Sequence, residues 1–200
     1  ERFRYRRVEL RDGGGDMKAL AIAMLVALTP TIAQADAKAG EKKAQLCLLC
    51  HKAINPPAYI PLLEGQTREY LYNQLKAYKE KRRPDPGMQT NTANLSDRDM
   101  RDIADYFASQ KPARVSCPLD ATTVSRGKSK AEALKCATCH LPDYSGKKEI
   151  PRLAGLEPRY IAPQLVAFAG GKRAHPPADG MTDLSSAAAE GPAQYFAQLE

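Results

Sequence analysis

The 200-residue sequence contains no tryptophan, and aromatic residues make up only 6% of it. A small domain with so few large side chains has a thin core, which usually needs a metal, a cofactor or disulfides to stabilise it. No apolar run reaches the roughly 20 residues that a membrane-spanning helix requires. The sequence also has no glycine-rich phosphate loop, no Ser/His/Asp set and no carboxylate cluster with metal spacing, so nothing in it indicates an enzyme.

The first 35 residues are predicted to lie outside the mature protein. Residues 1–16 are rich in arginine, and we interpret them as an upstream or non-native segment. Residues 17–35 have the basic start, the short apolar stretch and the Ala-Gln-Ala cleavage site of a secretory signal peptide. Cleavage before Asp36 predicts export to the periplasm. A membrane anchor formed by the same segment is the alternative.

The charge balance is basic, with a formal net charge of +7. Residues 1–35 contribute six Lys/Arg and four Asp/Glu, which leaves about +5 on the mature chain. Such a protein suits an acidic protein partner, or loose association with an anionic membrane surface. No basic patch is interleaved with aromatic residues, so we expect no nucleic-acid binding.

The second half of the chain repeats the first with an offset of 89 to 93 residues. The matched segments are residues 47–51 with 136–140, 60–65 with 150–155, 70–71 with 160–161, 74–75 with 164–165, 87–88 with 180–181, 95–96 with 184–185 and 106–107 with 195–196. We therefore predict an N-terminal domain over 36–111, a proline-marked linker over 112–120, and a C-terminal domain over 121–200.

The sequence favours an all-α fold, with about three main helices in each domain. Residues 67–82 form an amphipathic stretch, and Ser96 has the features of a helix N-cap. Met100 falls on the apolar face of the helix that follows, so we expect it in the core. In the second half, Pro163 and Pro192 are predicted to interrupt the middle and last helices.

The residues that indicate chemistry form a C-x-x-C-H motif in each half. The motifs are Cys47, Cys50 and His51, and Cys136, Cys139 and His140. C-x-x-C-H is the attachment signature of c-type haem, in which both thiols bind the porphyrin and the histidine binds iron. A redox disulfide would need a βαβ setting, and a zinc site would need a fourth ligand in each half. Simple disulfides would not explain the histidine. We therefore predict two covalently attached haem c groups.

Methionines supply the sixth iron ligand in this interpretation. Met88 lies 37 residues after His51, and Met181 lies 41 residues after His140. Thioether ligation raises the potential of the iron and blocks access by small molecules. The alternative ligand in the second half is His175, which would give a bis-histidine haem of lower potential.

The tandem motifs and the matched segments around them resemble the diheme class I cytochromes c of the cytochrome c4 type. The resemblance implies two cytochrome c folds, each built around a covalently bound haem with His/Met ligation. It also implies that the carbonyls of Pro61 and Pro151 accept a hydrogen bond from the axial histidines. Such proteins pass electrons between redox partners in the periplasm, here from a quinol–cytochrome c reductase towards a terminal oxidase or reductase.

A free electron carrier is the leading interpretation, and two alternatives stay open. The chain could be the diheme cytochrome subunit of a dehydrogenase, such as flavocytochrome c sulfide dehydrogenase, or a haem enzyme with one open iron. Cys117 in the linker is either a free thiol or an intermolecular bridge. The basic residues Lys79, Lys81, Arg82 and Arg83 are predicted to form a solvated helix end; the alternative is that they border the haem crevice and steer an acidic partner, with Lys172 and Arg173 as a weaker counterpart.

Overall fold

Helices make up both halves of the chain in the computed structural model, which describes residues 36–52, 59–114, 116–175, 181 and 184–199. The predicted upstream segment and signal peptide, residues 1–35, lie outside the described residues. The first half contains α1 (Ala37–Lys43), α2 (Gln45–Leu48), α3 (Arg68–Lys79), α4 (Pro86–Thr92) and α5 (Asp97–Ser109). The second half contains α6 (Ala121–Ala133), α7 (Ala137–His140), α8 (Pro158–Ala169) and α9 (Ser186–Gln198).

No strand occurs within the described ranges, where a single antiparallel bridge between Lys147 and Ile150 is the only β pairing. The all-α prediction is therefore confirmed. None of the helices in these ranges has the length and apolar character needed to cross a membrane.

The helix that was predicted to start at Ser96 begins there with a reciprocal cap. The Ser96 hydroxyl accepts a hydrogen bond from the backbone N–H of Asp99, and the Asp99 carboxylate accepts one from the backbone N–H of Ser96. Acidic Asp97 and Asp99 also stabilise the first turn through the helix dipole. The predicted N-cap is confirmed.

Each half has its own hydrophobic core, formed by equivalent helices. In the first core, Ile103 and Phe107 of α5 pack against Leu71 and Leu75 of α3. In the second core, Phe196 of α9 packs with residues of α6 and α8. Met100 is 3% exposed within the first core, which confirms its predicted packing role.

A glycine in the first helix of each half allows its last helix to approach closely. A β-carbon on Gly40 would lie 1.9 Å from the carbonyl oxygen of Asp102, and one on Gly127 would lie 1.9 Å from that of Gly191. Atoms cannot approach to that distance, so only glycine fits at either crossing. The crossing holds the segment carrying each C-x-x-C-H motif against the core of its half.

The prolines in the second half do not interrupt its helices, so that prediction was wrong. Pro163 lies inside α8, and Pro192 lies inside a continuous α9. Proline removes one backbone hydrogen bond from a helix interior, but tertiary packing supplies most of the stability of helices in proteins. Pro192 is itself buried, beside Gly191 at the crossing with Gly127.

The two halves belong to one compact unit that runs from Ala35 to Glu200. A buried pair joins them, because the Gln66 amide donates to the carbonyl oxygen of Arg152 at 2.9 Å and accepts from its backbone N–H at 2.7 Å. The Arg152 guanidinium also donates to the carbonyl oxygen of Ala113 in the connecting segment. The predicted domain bounds, 36–111 and 121–200, stay predictions.

Candidate functional site

The two C-x-x-C-H motifs adopt the same local structure. In the first motif, the backbone N–H groups of Cys50 and His51 both donate to the carbonyl oxygen of Cys47, at 3.1 and 2.9 Å. In the second, the N–H groups of Cys139 and His140 donate to the carbonyl oxygen of Cys136, at 3.3 and 3.0 Å. Each motif is therefore one helical turn, which brings its two cysteines and its histidine together.

The cysteines of both motifs are free thiols. Cys47 and Cys136 are half-buried, and burial raises the pKa of both thiols. A structural zinc site needs four ligands. No group of three or more metal-ligating side chains occurs among the described residues, so neither motif gathers that ligand set there.

The two motif histidines are buried and have identical hydrogen-bond partners. Nδ1 of His51 lies 2.8 Å from the carbonyl oxygen of Pro61, and Nδ1 of His140 lies 2.8 Å from that of Pro151. A carbonyl only accepts, so Nδ1 carries the proton and Nε2 of the neutral ring has the free lone pair. Burial lowers the pKa of both rings, which favours this neutral form.

Met88 lies at the start of α4, which is held by a cap. The Asp85 carboxylate accepts a hydrogen bond from the backbone N–H of Met88 at 2.8 Å. The Met88 side chain is half-buried and packs against the first core, as Cys47 does. Burial lowers the pKa of His51 most strongly, while the negative charge of Asp85 acts in the opposite direction. The start of α4 therefore lies within electrostatic reach of His51.

In the second half, Met181 is buried, with 7% of its surface exposed. Leu184, three residues later, is buried too, and Ser185 then caps α9. The ring centre of His175 lies 6.2 Å from that of His140, so this alternative ligand is also near the motif histidine. Gly180, the predicted partner of Gly87 in the repeat, lies outside the described residues.

Known proteins resemble this chain over most of its length. Cytochrome c4 of Pseudomonas aeruginosa is 36% identical over 180 residues, which cover 84% of this chain and 88% of the relative. The chain belongs to the cytochrome c4 family. Members of this family are electron-transfer proteins, not enzymes, and carry two covalently bound haem c groups. No protein-family model matches the sequence.

A crystal structure and a second kind of relative extend this comparison. Reduced recombinant cytochrome c4 from Pseudomonas stutzeri superposes with a TM-score of 0.74 at 30% identity, covering 82% of this chain and 99% of that one. A protein of Thiomonas intermedia named thiosulfate dehydrogenase electron acceptor is 29% identical over 194 residues. That alignment covers 90% of this chain and 88% of the relative. The predicted fold of two tandem class I cytochrome c domains is confirmed.

The donor sets fit the haem groups of the cytochrome c4 family. Attachment of haem c consumes two neutral thiols in one helical turn, and it requires a neutral imidazole with Nε2 available. Both halves have these features, and a backbone carbonyl fixes the orientation of each ring. A carbonyl that accepts from Nδ1 keeps the ring in one tautomer and increases its basicity as a ligand.

A polar network joins the halves of this cytochrome at a second place. The Arg83 guanidinium donates to Gln74 at 2.7 Å within its own half. It also donates to Tyr160 at 3.2 Å and to Gln164 at 3.0 Å in the other half. The guanidinium lies over the ring of Tyr78, 4.6 Å from its centre. Arg83 is therefore buried, which corrects the prediction that the whole 79–83 run is solvated.

Arg173 makes the reciprocal contacts from the second half. Its guanidinium donates to Gln164 at 2.7 Å, and across the halves to Tyr70 at 2.7 Å and Gln74 at 3.1 Å. Among the described residues, neither guanidinium forms an ion pair with a carboxylate. The predicted steering role for Arg173 is not supported by its half-buried position. Both arginines hold the halves together.

The sequence repeat carries a signal for this network. Tyr70 and Tyr160, Gln74 and Gln164, and Arg83 and Arg173 are each separated by 90 residues. An arginine that recurs at the same offset as a tyrosine and a glutamine indicates a shared structural role. Cys117 takes no part in the contacts of Arg83 and Arg173, and it is a half-buried free thiol.

Proposed function

We propose that Cys47 and Cys50 attach one haem and that Cys136 and Cys139 attach the other, with His51 and His140 as axial ligands. One observation supports this assignment most strongly. In both halves a histidine that follows a cysteine turn donates from Nδ1 to a proline carbonyl at 2.8 Å. Both halves of the repeat keep this arrangement, as expected if each ring must be held in one orientation for the same chemistry.

Met88 and Met181 are the sixth ligands in this proposal, and the domains over 36–111 and 121–200 each hold one haem. Each haem supplies a reversible one-electron couple. The chain's own groups then set the environment of that couple: the thioethers favour the reduced state and close the iron to small molecules. The Pro61 and Pro151 carbonyls hold the histidine rings, and both rings are buried.

We further propose that the protein works in the periplasm, exported by the signal peptide over residues 17–35. The donor is a quinol–cytochrome c reductase, and the acceptor is a terminal oxidase or reductase. The basic mature chain supports docking to acidic redox proteins and loose association with anionic membrane surfaces. Lys79, Lys81 and Arg82 remain exposed for this role, whereas Arg83 does not.

A second candidate partner is a dehydrogenase. The similarity to a protein named thiosulfate dehydrogenase electron acceptor favours this alternative. The chain would then take electrons from a sulfur-oxidising dehydrogenase, or act as its diheme subunit as in flavocytochrome c sulfide dehydrogenase. A stable, stoichiometric partner on purification distinguishes a subunit from a free carrier.

The assignment of the cysteines is tested by intact-mass measurement of the full chain, produced in a periplasm that matures c-type cytochromes. The native protein is expected to gain the mass of two haems and to lose residues 1–35. Cys47→Ala with Cys50→Ala, or Cys136→Ala with Cys139→Ala, is expected to remove one haem. Cys117→Ala is the matched control, since it removes a cysteine outside the motifs, and should keep both. Loss of haem from the control, or none from the paired variants, would contradict the proposal.

A further inference from the structure

The ring of His175 faces the motif histidine of the second half. The ring centres of His140 and His175 are 6.2 Å apart, and their planes differ by 26°. The edge of the Phe168 ring packs on His175 with the centres 4.9 Å apart, at 67°. His175 is half-buried. Packing against Phe168 at the end of α8 therefore holds His175 close to His140.

The separation is one that a single iron can bridge. Metal–imidazole nitrogen bonds are about 2 Å long, and a ring nitrogen lies about 1 Å from the ring centre, so two imidazoles on opposite sides of one ion have centres about 6 Å apart. The distance of 6.2 Å between the ring centres of His140 and His175 is close to this value. Nδ1 of His140 is occupied by the Pro151 carbonyl at 2.8 Å, so only Nε2 of that ring is available to a metal.

The repeat gives His175 an equivalent position in the first half. Arg83 and Arg173 are equivalent, because each bridges the halves through the same kinds of partner. Two residues after Arg83 lies Asp85, whose carboxylate accepts a hydrogen bond from the backbone N–H of Met88 at 2.8 Å. Two residues after Arg173 lies His175, beside His140. Only in the second half does this position carry a side chain that binds haem iron well.

We propose that His175 is a reserve axial ligand of the second haem, able to take the sixth position when Met181 is lost from it. This inference rests on the proposed attachment of a haem at Cys136 and Cys139. The exchange replaces one iron–sulfur bond with one iron–nitrogen bond between neutral ligands, and no electron is transferred. Transfer of one oxygen atom from hydrogen peroxide to the Met181 thioether, which gives the sulfoxide and water, is the chemistry that would make the exchange necessary. The second iron would then stay closed to small molecules after loss of Met181, whereas loss of Met88 would open the first iron.

Two variants with opposite expected results test the proposal in the full-length holoprotein. Haem is first counted by intact mass, so that a failure of attachment is distinguished from a failure of ligation. In Met88→Ala, one reduced haem per chain is expected to bind carbon monoxide, because the residue equivalent to His175 in the first half is Asp85. In Met181→Ala, no haem is expected to bind it, and the electron paramagnetic resonance spectrum of the oxidised protein should show a low-spin bis-imidazole centre. Carbon monoxide binding by Met181→Ala as complete as in Met88→Ala would overturn the proposal.

The double variant His175→Ala/Met181→Ala identifies the ligand. It is expected to bind one equivalent of carbon monoxide per chain, and persistence of a closed second haem would show that another residue ligates. A transplant provides a separate test if the Met181 variants do not retain two haems. Asp85→His in a Met88→Ala background is expected to abolish the carbon monoxide binding of Met88→Ala. Unchanged binding would mean that this position does not reach the iron, which also overturns the proposal.

Discussion

Replacing Arg83 by alanine tests whether the polar network holds the halves of the cytochrome together. The substitution removes three hydrogen bonds from a buried guanidinium, to Gln74, Tyr160 and Gln164. A hydrogen bond that involves a charged group contributes about 1.5–3 kcal/mol. Relief of the desolvation of a buried cation offsets part of this sum, so we expect a loss of about 3 kcal/mol in the free energy of unfolding.

Arg82→Ala is the matched control, because it removes the neighbouring arginine from the surface. In the described part of the chain, the Arg82 side chain forms an exposed ion pair with Glu80, and such pairs contribute less than about 1 kcal/mol. Urea unfolding of both holoproteins, followed by far-ultraviolet circular dichroism, measures the two losses. Equal losses for Arg83→Ala and Arg82→Ala would refute the structural role of the network.

Three further predictions concern the helix contacts within each half. Asp102→Asn weakens the 2.6 Å bond from Lys43 to a fully buried carboxylate, and should lower the free energy of unfolding by about 2–3 kcal/mol in a denaturant titration at neutral pH. Burial alone would raise the pKa of Asp102, but the bond from Lys43 holds it below the ordinary value of 3.8. The contribution of Asp102 to stability is therefore present above pH 3.8 and lost as the pH falls through the lower folded-state pKa. The difference in free energy of unfolding between the native protein and Asp102→Asn should shrink in acid. A difference that grows in acid would contradict this prediction. Gly127→Ala places a β-carbon 1.9 Å from the Gly191 carbonyl oxygen and should cost at least about 2 kcal/mol or prevent folding. Gly87→Ala is its control, because that β-carbon meets only a carboxylate oxygen at 3.4 Å and should leave the melting temperature nearly unchanged.

Much of the fold and of the candidate site followed from local patterns. The two C-x-x-C-H turns and the apolar spacing around Met100 and Phe107 depend on residues close together in the chain, and the repeat follows from aligning the two halves of the sequence. Such patterns can be recognised in the sequence without knowledge of tertiary contacts. The cap at Ser96 is similarly local, since its partner Asp99 is three residues away.

The features that the sequence did not reveal depend on contacts between distant residues. Arg83 belongs to a basic run, and its burial is decided by Tyr160 and Gln164, which lie 77 and 81 residues away. Pro192 is tolerated in α9 because packing against α6 at Gly127 outweighs one lost hydrogen bond. The proximity of His175 to His140 likewise depends on where α8 ends.

A spectroelectrochemical titration of the mature holoprotein, with haem counted per chain, tests the central assignment most directly. We predict two one-electron steps for two haems, both at the high potentials that thioether ligation by Met88 and Met181 produces. A single step with one haem per chain, or a second step at the low potential of bis-histidine ligation in the native protein, would contradict that assignment.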